Sequence, residues 1–350
     1  MKPCLYVPAA LLFAVLPCFA KTKIACVGDS ITFGATVAQR ATHSYPYCLQ
    51  QMLGEDYEVV NFGNSGKTAG DYPGQKRRGR YYGDTKEHQN AVSFEGDMYI
   101  CNLGINDTGP WWDAKLFVQG YEDLIGQWIA KRKNTKLFMW TQLAPDFRGP
   151  LGQKACPGNV FDPKYHFPLS DNGTAVKRPE VEKLLGQIAS KHKAVEMDML
   201  TPLDNHPEFY SGDGLHPNAS GAKRLAQLTC AALYREQPWK QASPSIDTDA
   251  KAQTITLANA SKQAIVLDAG ALAVHAGEKK KTVFRFGDGS ALGPGESVTI
   301  RFHAEANAND FGGEMTTKSP LRGSVRYISA PAKREARQKW EIAAQKWAGK

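Results

Sequence analysis

Between Lys21 and Gln241 short apolar runs alternate with segments of helical period, and no other feature of this chain restricts its fold as much. The runs are Lys23 to Val27, Glu58 to Phe62, Met98 to Leu103, Lys136 to Thr141 and Ala194 to Met199. Each is short and nearly continuously apolar, the pattern of a strand buried on both faces. Among the intervening segments, Leu116, Tyr121, Leu124, Ile125, Trp128 and Ile129 follow one apolar stripe, and Val181, Leu184, Leu185 and Ile188 follow another. A last helix, from about Asn218 to Tyr234, carries Leu225, Leu228, Ala232 and Leu233. Strands and helices in strict succession predict an α/β unit: an open parallel sheet with helices on both faces.

The texture changes between Pro238 and Pro244. Beyond it, Thr254 to Leu257, Ala264 to Leu267, Thr282 to Phe286 and Ser297 to Phe302 are β-branched segments separated by turn residues such as Gly293-Pro294-Gly295. They predict a small antiparallel β-domain over 245–330, after a first domain over 21–241. Residues 331–350 predict a basic amphipathic helix with Ala336, Trp340, Ala343 and Trp347 on one face, most simply docked on its own protein. At the other end, Lys2 precedes an apolar stretch from Leu5 to Phe19, and Cys18-Phe19-Ala20 offers small residues at a cleavage point after Ala20. Residues 1–20 therefore read as a signal peptide and the protein as secreted or periplasmic. No later segment has the apolar length of a membrane span.

Composition excludes some functions. Hydrophobic residues make up 42% of 350, ordinary globular usage that leaves no case for a disordered chain. The net charge of +8 comes from 43 basic residues scattered among 35 acids, a poor footprint for nucleic acid, so none is expected as a partner. After the leader, Cys26, Cys48, Cys101, Cys156 and Cys230 remain, an odd number that leaves at least one thiol unpaired. Neither C-x-x-C nor H-E-x-x-H occurs, so no metal or other cofactor is expected.

The chemistry-bearing residues fall at the ends of the apolar runs. Gly28-Asp29-Ser30-Ile31 follows the first run, which puts Ser30 at the carboxyl end of a parallel strand, where such sheets place their ligands. A serine nucleophile needs an adjacent base, and His216 in Asp213-Gly214-Leu215-His216-Pro217 answers that need just before the last helix. Asp213, three residues upstream, is placed to hold one ring nitrogen while the other faces Ser30. Acyl transfer also needs donors for an oxyanion. Gly66, in the block after the second run, offers an N–H at a position free to take positive φ; Asn106, after the third, offers a carboxamide; and Ser30 offers its own N–H. Taken singly, each has a plain structural reading: Ser30 as a helix cap, Gly66 and Asn106 as turn residues, His216 as a loop histidine.

Together, in this order, the four blocks carrying Ser30, Gly66, Asn106 and His216 resemble the GDSL, or SGNH, hydrolase family of serine esterases over about 21–240. The resemblance implies a flavodoxin-like three-layer α/β/α sandwich and ester hydrolysis through an acyl-serine intermediate, without a metal. Secreted relatives of this kind resemble carbohydrate O-acetylesterases, which implies an acetylated carbohydrate as substrate. The alternatives are a lysophospholipase-like lipid acyl hydrolase and, in another class, a non-catalytic glycan-binding protein on the same fold. The region after residue 245 is faintly similar to immunoglobulin-like lamin-tail modules, which implies at most a spacer or adhesion role.

Two stretches bear on the substrate. Asp71 to Asn90 contains Arg77, Arg78 and Arg80, which either are solvated or engage an acidic group on a sugar. Trp111 and Trp112 follow Asn106 closely and either stack on a sugar ring or pack inside. A Pro/Gly-rich stretch from Asp146 to Asn172 is longer than structural connections need.

Overall fold

The structure, a computed structural model, describes residues 20–73, 80–132, 134–143, 174–199, 202–203, 206–249, 254–268, 270–276, 280–287, 289–302, 314–315 and 325–328. The expected leader, Arg77, Arg78, Cys156, the 146–172 stretch and the terminal helix lie outside the described residues.

The five expected strands form, each within two residues of the sequence reading: β1 (Thr22–Gly28), β2 (Tyr57–Gly63), β3 (Met98–Asn102), β4 (Lys136–Gln142) and β5 (Val195–Asp198). They make one parallel sheet in the order β2-β1-β3-β4-β5, the doubly wound flavodoxin-like arrangement. Alternation along β1 divides the core. Ile24 and Cys26 pack to one side with α3 (Tyr45–Leu53) and α7 (Ala219–Glu236). Ala25 and Val27 pack to the other with α4 (Lys86–Phe94), α5 (Ala114–Ile129) and α6 (Thr174–Lys191). Two short helices, α1 (Ser30–Phe33) and α2 (Arg40–His43), follow β1.

The stripe on α5 is shifted from the one read in the sequence. Phe117 and Gly120 join Tyr121, Leu124, Ile125 and Trp128 on the buried face, whereas Ile129 is 37% exposed. Gly120 is there because backbone approaches it: a Cβ would lie 2.0 Å from the Ala69 carbonyl oxygen. A helix face that meets a backbone loop selects glycine over an apolar side chain, so hydropathy alone misplaces the stripe.

The C-terminal strands build a four-stranded sheet from β6 (Ser245–Asp249), β7 (Thr254–Ala258), β12 (Ser297–Phe302) and β13 (Glu314–Met315), antiparallel except for the β12–β13 pair. β9 (Ala271–Ala276), β10 (Lys280–Arg285) and β14 (Val325–Ile328) make a second sheet, and β8 (Ile265–Val266) pairs with β11 (Ala291–Leu292). Ile255, Leu257, Leu267, Leu272 and Ile300 fill their core. The contact with α7 is more intimate than a spacer needs. Ala264, Val266 and Ala291 join the α3–α7 core, the buried Arg224 donates to the Gly289 carbonyl at 2.9 Å, and Gln227 donates to that of Ala291 at 3.0 Å. Gln241 exchanges both amide bonds with the Val266 backbone, so the expected boundary is pinned. Cys26, Cys48, Cys101 and Cys230 are free thiols. Among the described residues no helix is long and apolar enough to cross a membrane.

Candidate active site

All strands of the main sheet run in parallel, so their carboxyl ends share one edge, and the chemistry-bearing blocks leave from that edge. β1 ends at Gly28, where a Cβ would meet the Thr32 hydroxyl at 2.3 Å and the Asn102 carbonyl oxygen at 2.5 Å. The chain then turns at once into α1. Asp29, and not Ser30, caps this helix: its Oδ1 accepts the Ile31 N–H at 3.0 Å. Ser30 is thereby left as the first helical residue, with its N–H among the donors that a helix start leaves without an intrahelical partner. α1 lasts one turn and stops at Gly34, whose φ of +84° closes a left-handed cap onto the Ser30 and Ile31 carbonyls.

His216 arrives from 186 residues away. Its Nε2 lies 2.9 Å from Ser30 Oγ and its Nδ1 lies 2.6 Å from Asp213 Oδ2. The offset of three works because the loop is a tight turn: Gly214 takes φ +70°, the Gly214 N–H donates to the Ser211 carbonyl and the Ser211 N–H to that of His216. Asn218 then caps α7 through the Gly221 N–H. The other Asp213 oxygen accepts from Ser211 Oγ at 2.7 Å, His216 N at 2.9 Å and Leu215 N at 3.0 Å. Burial opposes the charge on Asp213, but these bonds, led by that from the His216 ring, outweigh it and hold the carboxyl well below the usual range. Hydroxyl, imidazole and fixed carboxylate in this sequence can draw a proton off the hydroxyl while the developing imidazolium is stabilised.

The other two blocks close around the same turn. Gly63, ending β2, packs against α1 with no room for a side chain: a Cβ would lie 2.2 Å from Phe33 N. Gly66 adopts φ +76°. Asn106 sits in a 3-10 turn (Ile105–Thr108), and its Nδ2 donates to the Lys67 carbonyl at 3.0 Å while lying 3.4 Å from Asp29 Oδ2. That one amide spans three of the four blocks. Asp107, the residue after Asn106, is fully buried. It accepts from Ala69 N, Gly70 N and Tyr72 Oη at 2.8–3.1 Å, tying the Gly66 loop to the Asn106 turn. An Asp directly after the donor Asn was the available signal; its partners, about 37 residues away, were not legible. Burial drives both Asp29 and Asp107 up to about 7, against the hydrogen bonds that each accepts.

The remaining candidates divide. Arg80 lies over the Trp111 ring with its guanidinium carbon 5.0 Å from the centroid. The Arg80 carbonyl receives the Thr68 N–H, two residues beyond Gly66, so this pair borders the site. Trp112 is engaged in packing: its indole N–H donates to Glu180 at 2.9 Å and its ring lies 5.1 Å from Phe117. Among the described residues no three His, Cys, Asp or Glu side chains gather as a metal would require.

Residues 26–224, more than half of the chain, match the model of the GDSL-like Lipase/Acylhydrolase family. An acetylxylan esterase from Xylanibacter ruminicola is 30% identical over 222 residues, which are 60% of this chain and 43% of that protein. The chain thus spans under half the length of this relative. Among solved structures, the native aryl esterase of M. smegmatis is 22% identical and covers 61% of this chain and 100% of its own, with a TM-score of 0.42. A carbohydrate acetylesterase from Sinorhizobium meliloti is 20% identical, covers 60% of this chain and 97% of its own, and also has a TM-score of 0.42.

Proposed function

The chain belongs to the GDSL-like lipase/acylhydrolase family, and on that premise we propose that it is a secreted serine esterase releasing acetyl groups from carbohydrates through an acyl-serine intermediate. The observation that carries the reading is the relay of 2.9 Å from Ser30 Oγ to His216 Nε2 and 2.6 Å from Nδ1 to Asp213. Ser30 attacks the ester carbonyl as His216 takes its proton, and Asp213 holds the ring in the tautomer that leaves Nε2 able to accept. The tetrahedral oxyanion is met by the N–H groups of Ser30 and Gly66 and by Asn106. Of the two Asn106 amide hydrogens, one is held by Lys67; the other, whose Asp29 contact is long at 3.4 Å, turns to the oxyanion. His216 then protonates the departing sugar hydroxyl. Water repeats the sequence and frees acetate.

The choice of acetylated carbohydrate rests on the relative named as an acetylxylan esterase. Secretion rests on Lys2 and the apolar Leu5 to Phe19 stretch. Three measurements test the proposal together: fluorophosphonate labelling of Ser30, acetate release from acetylated xylan, and turnover of Ser30→Ala. We expect labelling of the wild type only, measurable acetate, and a loss of about a thousandfold or more in the variant. Near-normal turnover of Ser30→Ala, or a nitrophenyl ester preference for acyl chains of roughly eight carbons or more in place of acetyl, would overturn it, the latter because a short-chain esterase has no use for a long apolar groove.

A further inference from the structure

A pocket of about 270 Å³ lies beside the proposed active site, between α2, α3 and the carboxyl half of the edge strand β2. Arg40, Ser44, Tyr47, Val59 and Asn61 are among its lining residues. It backs onto the turn that carries Ser30. Asn61 donates to the Thr32 carbonyl at 2.9 Å, and Gly34, whose N–H is bonded to the Ser30 carbonyl, leaves by its missing Cβ the space along which the Arg40 stem lies. The Arg40 guanidinium is stacked on Phe33, the last residue of α1, at 3.7 Å from the ring centroid. Among the described residues it makes no ion pair. Tyr47 is 36% exposed, one of only two large hydrophobic side chains so exposed among the described residues. Asn61 spends one amide hydrogen on Thr32, and its oxygen accepts the Gly63 N–H, which leaves its second hydrogen for a ligand.

A guanidinium fixed in plane by an aromatic ring is a preorganised fork for a carboxylate, an exposed tyrosine beside it is a platform for a sugar ring, and an amide supplies a hydroxyl contact. We propose that this pocket is a subsite for a uronic acid residue of the glycan. Arg40 holds its carboxylate and Tyr47 its ring while the acetyl ester of a neighbouring sugar lies at Ser30. The inference rests on the carbohydrate esterase reading, and gives that reading a substrate class: acetylated glycans with acidic side groups.

The test uses Arg40→Met, which keeps the apolar stem against Phe33 and removes the fork, with Tyr47→Ala as a second variant. Acetate release is followed on acetylated xylo-oligosaccharides with and without a glucuronic acid branch, with nitrophenyl acetate as the control ester. Non-acetylated glucurono-xylo-oligosaccharide is titrated calorimetrically into each protein. Loss of a charge-assisted bidentate contact predicts a fall of about tenfold or more in kcat/KM on the branched substrate and in affinity for the branched ligand. Rates on the unbranched substrate and on nitrophenyl acetate should stay within about twofold. Equal kcat/KM of the wild type on branched and unbranched substrates, a uniform fall on all three, or unchanged binding by Arg40→Met would overturn the subsite. If the wild type cleaves neither carbohydrate yet cleaves nitrophenyl acetate, the esterase reading loses its substrate, while the calorimetry still decides the subsite.

Discussion

Replacing Asp213 by Asn should be at least as damaging as replacing it by Ala, because of how its two oxygens are shared. Three donors, Ser211 Oγ, Leu215 N and His216 N, converge on Oδ1 within 2.7–3.0 Å, and only the His216 ring faces Oδ2. In Asp213→Asn those donors fix the carbonyl oxygen at the Oδ1 position, so the amide NH₂ must face Nδ1. Flipping it would set a donor against three donors and forfeit bonds worth about 1 kcal/mol each, roughly 3 kcal/mol in all. Nδ1 therefore becomes the acceptor and the ring proton moves to Nε2, which can then only donate to Ser30. The misplaced tautomer accounts for about a hundredfold, from that 3 kcal/mol at 1.36 kcal/mol per tenfold. Losing the charge that stabilises imidazolium should bring the fall in kcat to about 10⁴-fold, the size seen when this kind of substitution is made in other triads. Asp213→Ala leaves the ring free to adopt either tautomer. The assay is nitrophenyl acetate hydrolysis with KM and kcat separated, KM moving by less than about threefold. An Asn variant within tenfold of the wild type, or clearly more active than Ala, would refute the tautomer argument.

Asn106→Ala should lower kcat by about 10²–10³-fold with little change in KM, since one oxyanion donor is worth roughly 3–4 kcal/mol. Gly63→Ala drives a Cβ to within 2.2 Å of Phe33 N and 2.6 Å of the Thr32 carbonyl carbon. α1 must then move, so thermal unfolding should show a loss of about 1–3 kcal/mol or more, with a fall in kcat beside it. Asp29 and Asp107, pushed up by burial to about 7, keep protons that the unfolded chain releases near its ordinary carboxyl range. Their contribution to stability is therefore greatest at acid pH and is lost as pH rises from about 4 through about 7. Urea midpoints at pH 5 and pH 8 should show that decline in the wild type and a shallower one in Asp107→Asn; equal slopes would remove Asp107 from the account. Ending the chain after Gln241 should lower kcat and the unfolding midpoint together, and a truncated chain with wild-type values of both would show that α7 needs no cover.

The sheet was legible because a strand buried on both faces needs an unbroken apolar run, and few alternatives compete for such runs. Ser30, Gly66 and Asn106 could be picked out because their blocks begin where those runs end, and topology alone brings those ends to one edge; Asp213 and His216 stood out because their block lies just before the last helix. What sequence could not supply was pairing over distance. The Asp107 acceptors of the Gly66 loop, the close approach of Gly120 to Ala69 and the seat of Arg40 on Phe33 each depend on two loops or helices meeting, and neither member announces the other. β6, β9, β11, β13 and β14 also escaped the pattern. β11 and β13 are two residues long, and β6, Ser-Ile-Asp-Thr-Asp, is held on a sheet edge by backbone bonds to β7 with little apolar content of its own.

The C-terminal strands also change how α7 must be understood. Read by period, its leucines give an ordinary one-sided helix. In the structure residues from Gly221 to Leu233, Arg224 and Gln227 among them, are almost all buried, because β8 and β11 cover the side that would otherwise face water. A buried guanidinium without an acceptor would cost several kcal/mol, and the Gly289 and Ala291 carbonyls supply acceptors to Arg224 and Gln227. A Cβ on Gly289 would lie 2.4 Å from Leu228, which shows how closely the two surfaces meet. α7 begins three residues after His216, and its cap, Asn218, also grips the Glu208 and Tyr210 carbonyls on the other arm of the loop. Strands that appeared in the sequence as an appendage thus brace the helix from which the proposed catalytic base is hung. Any loosening of that brace would be transmitted first to the 2.9 Å contact between His216 and Ser30.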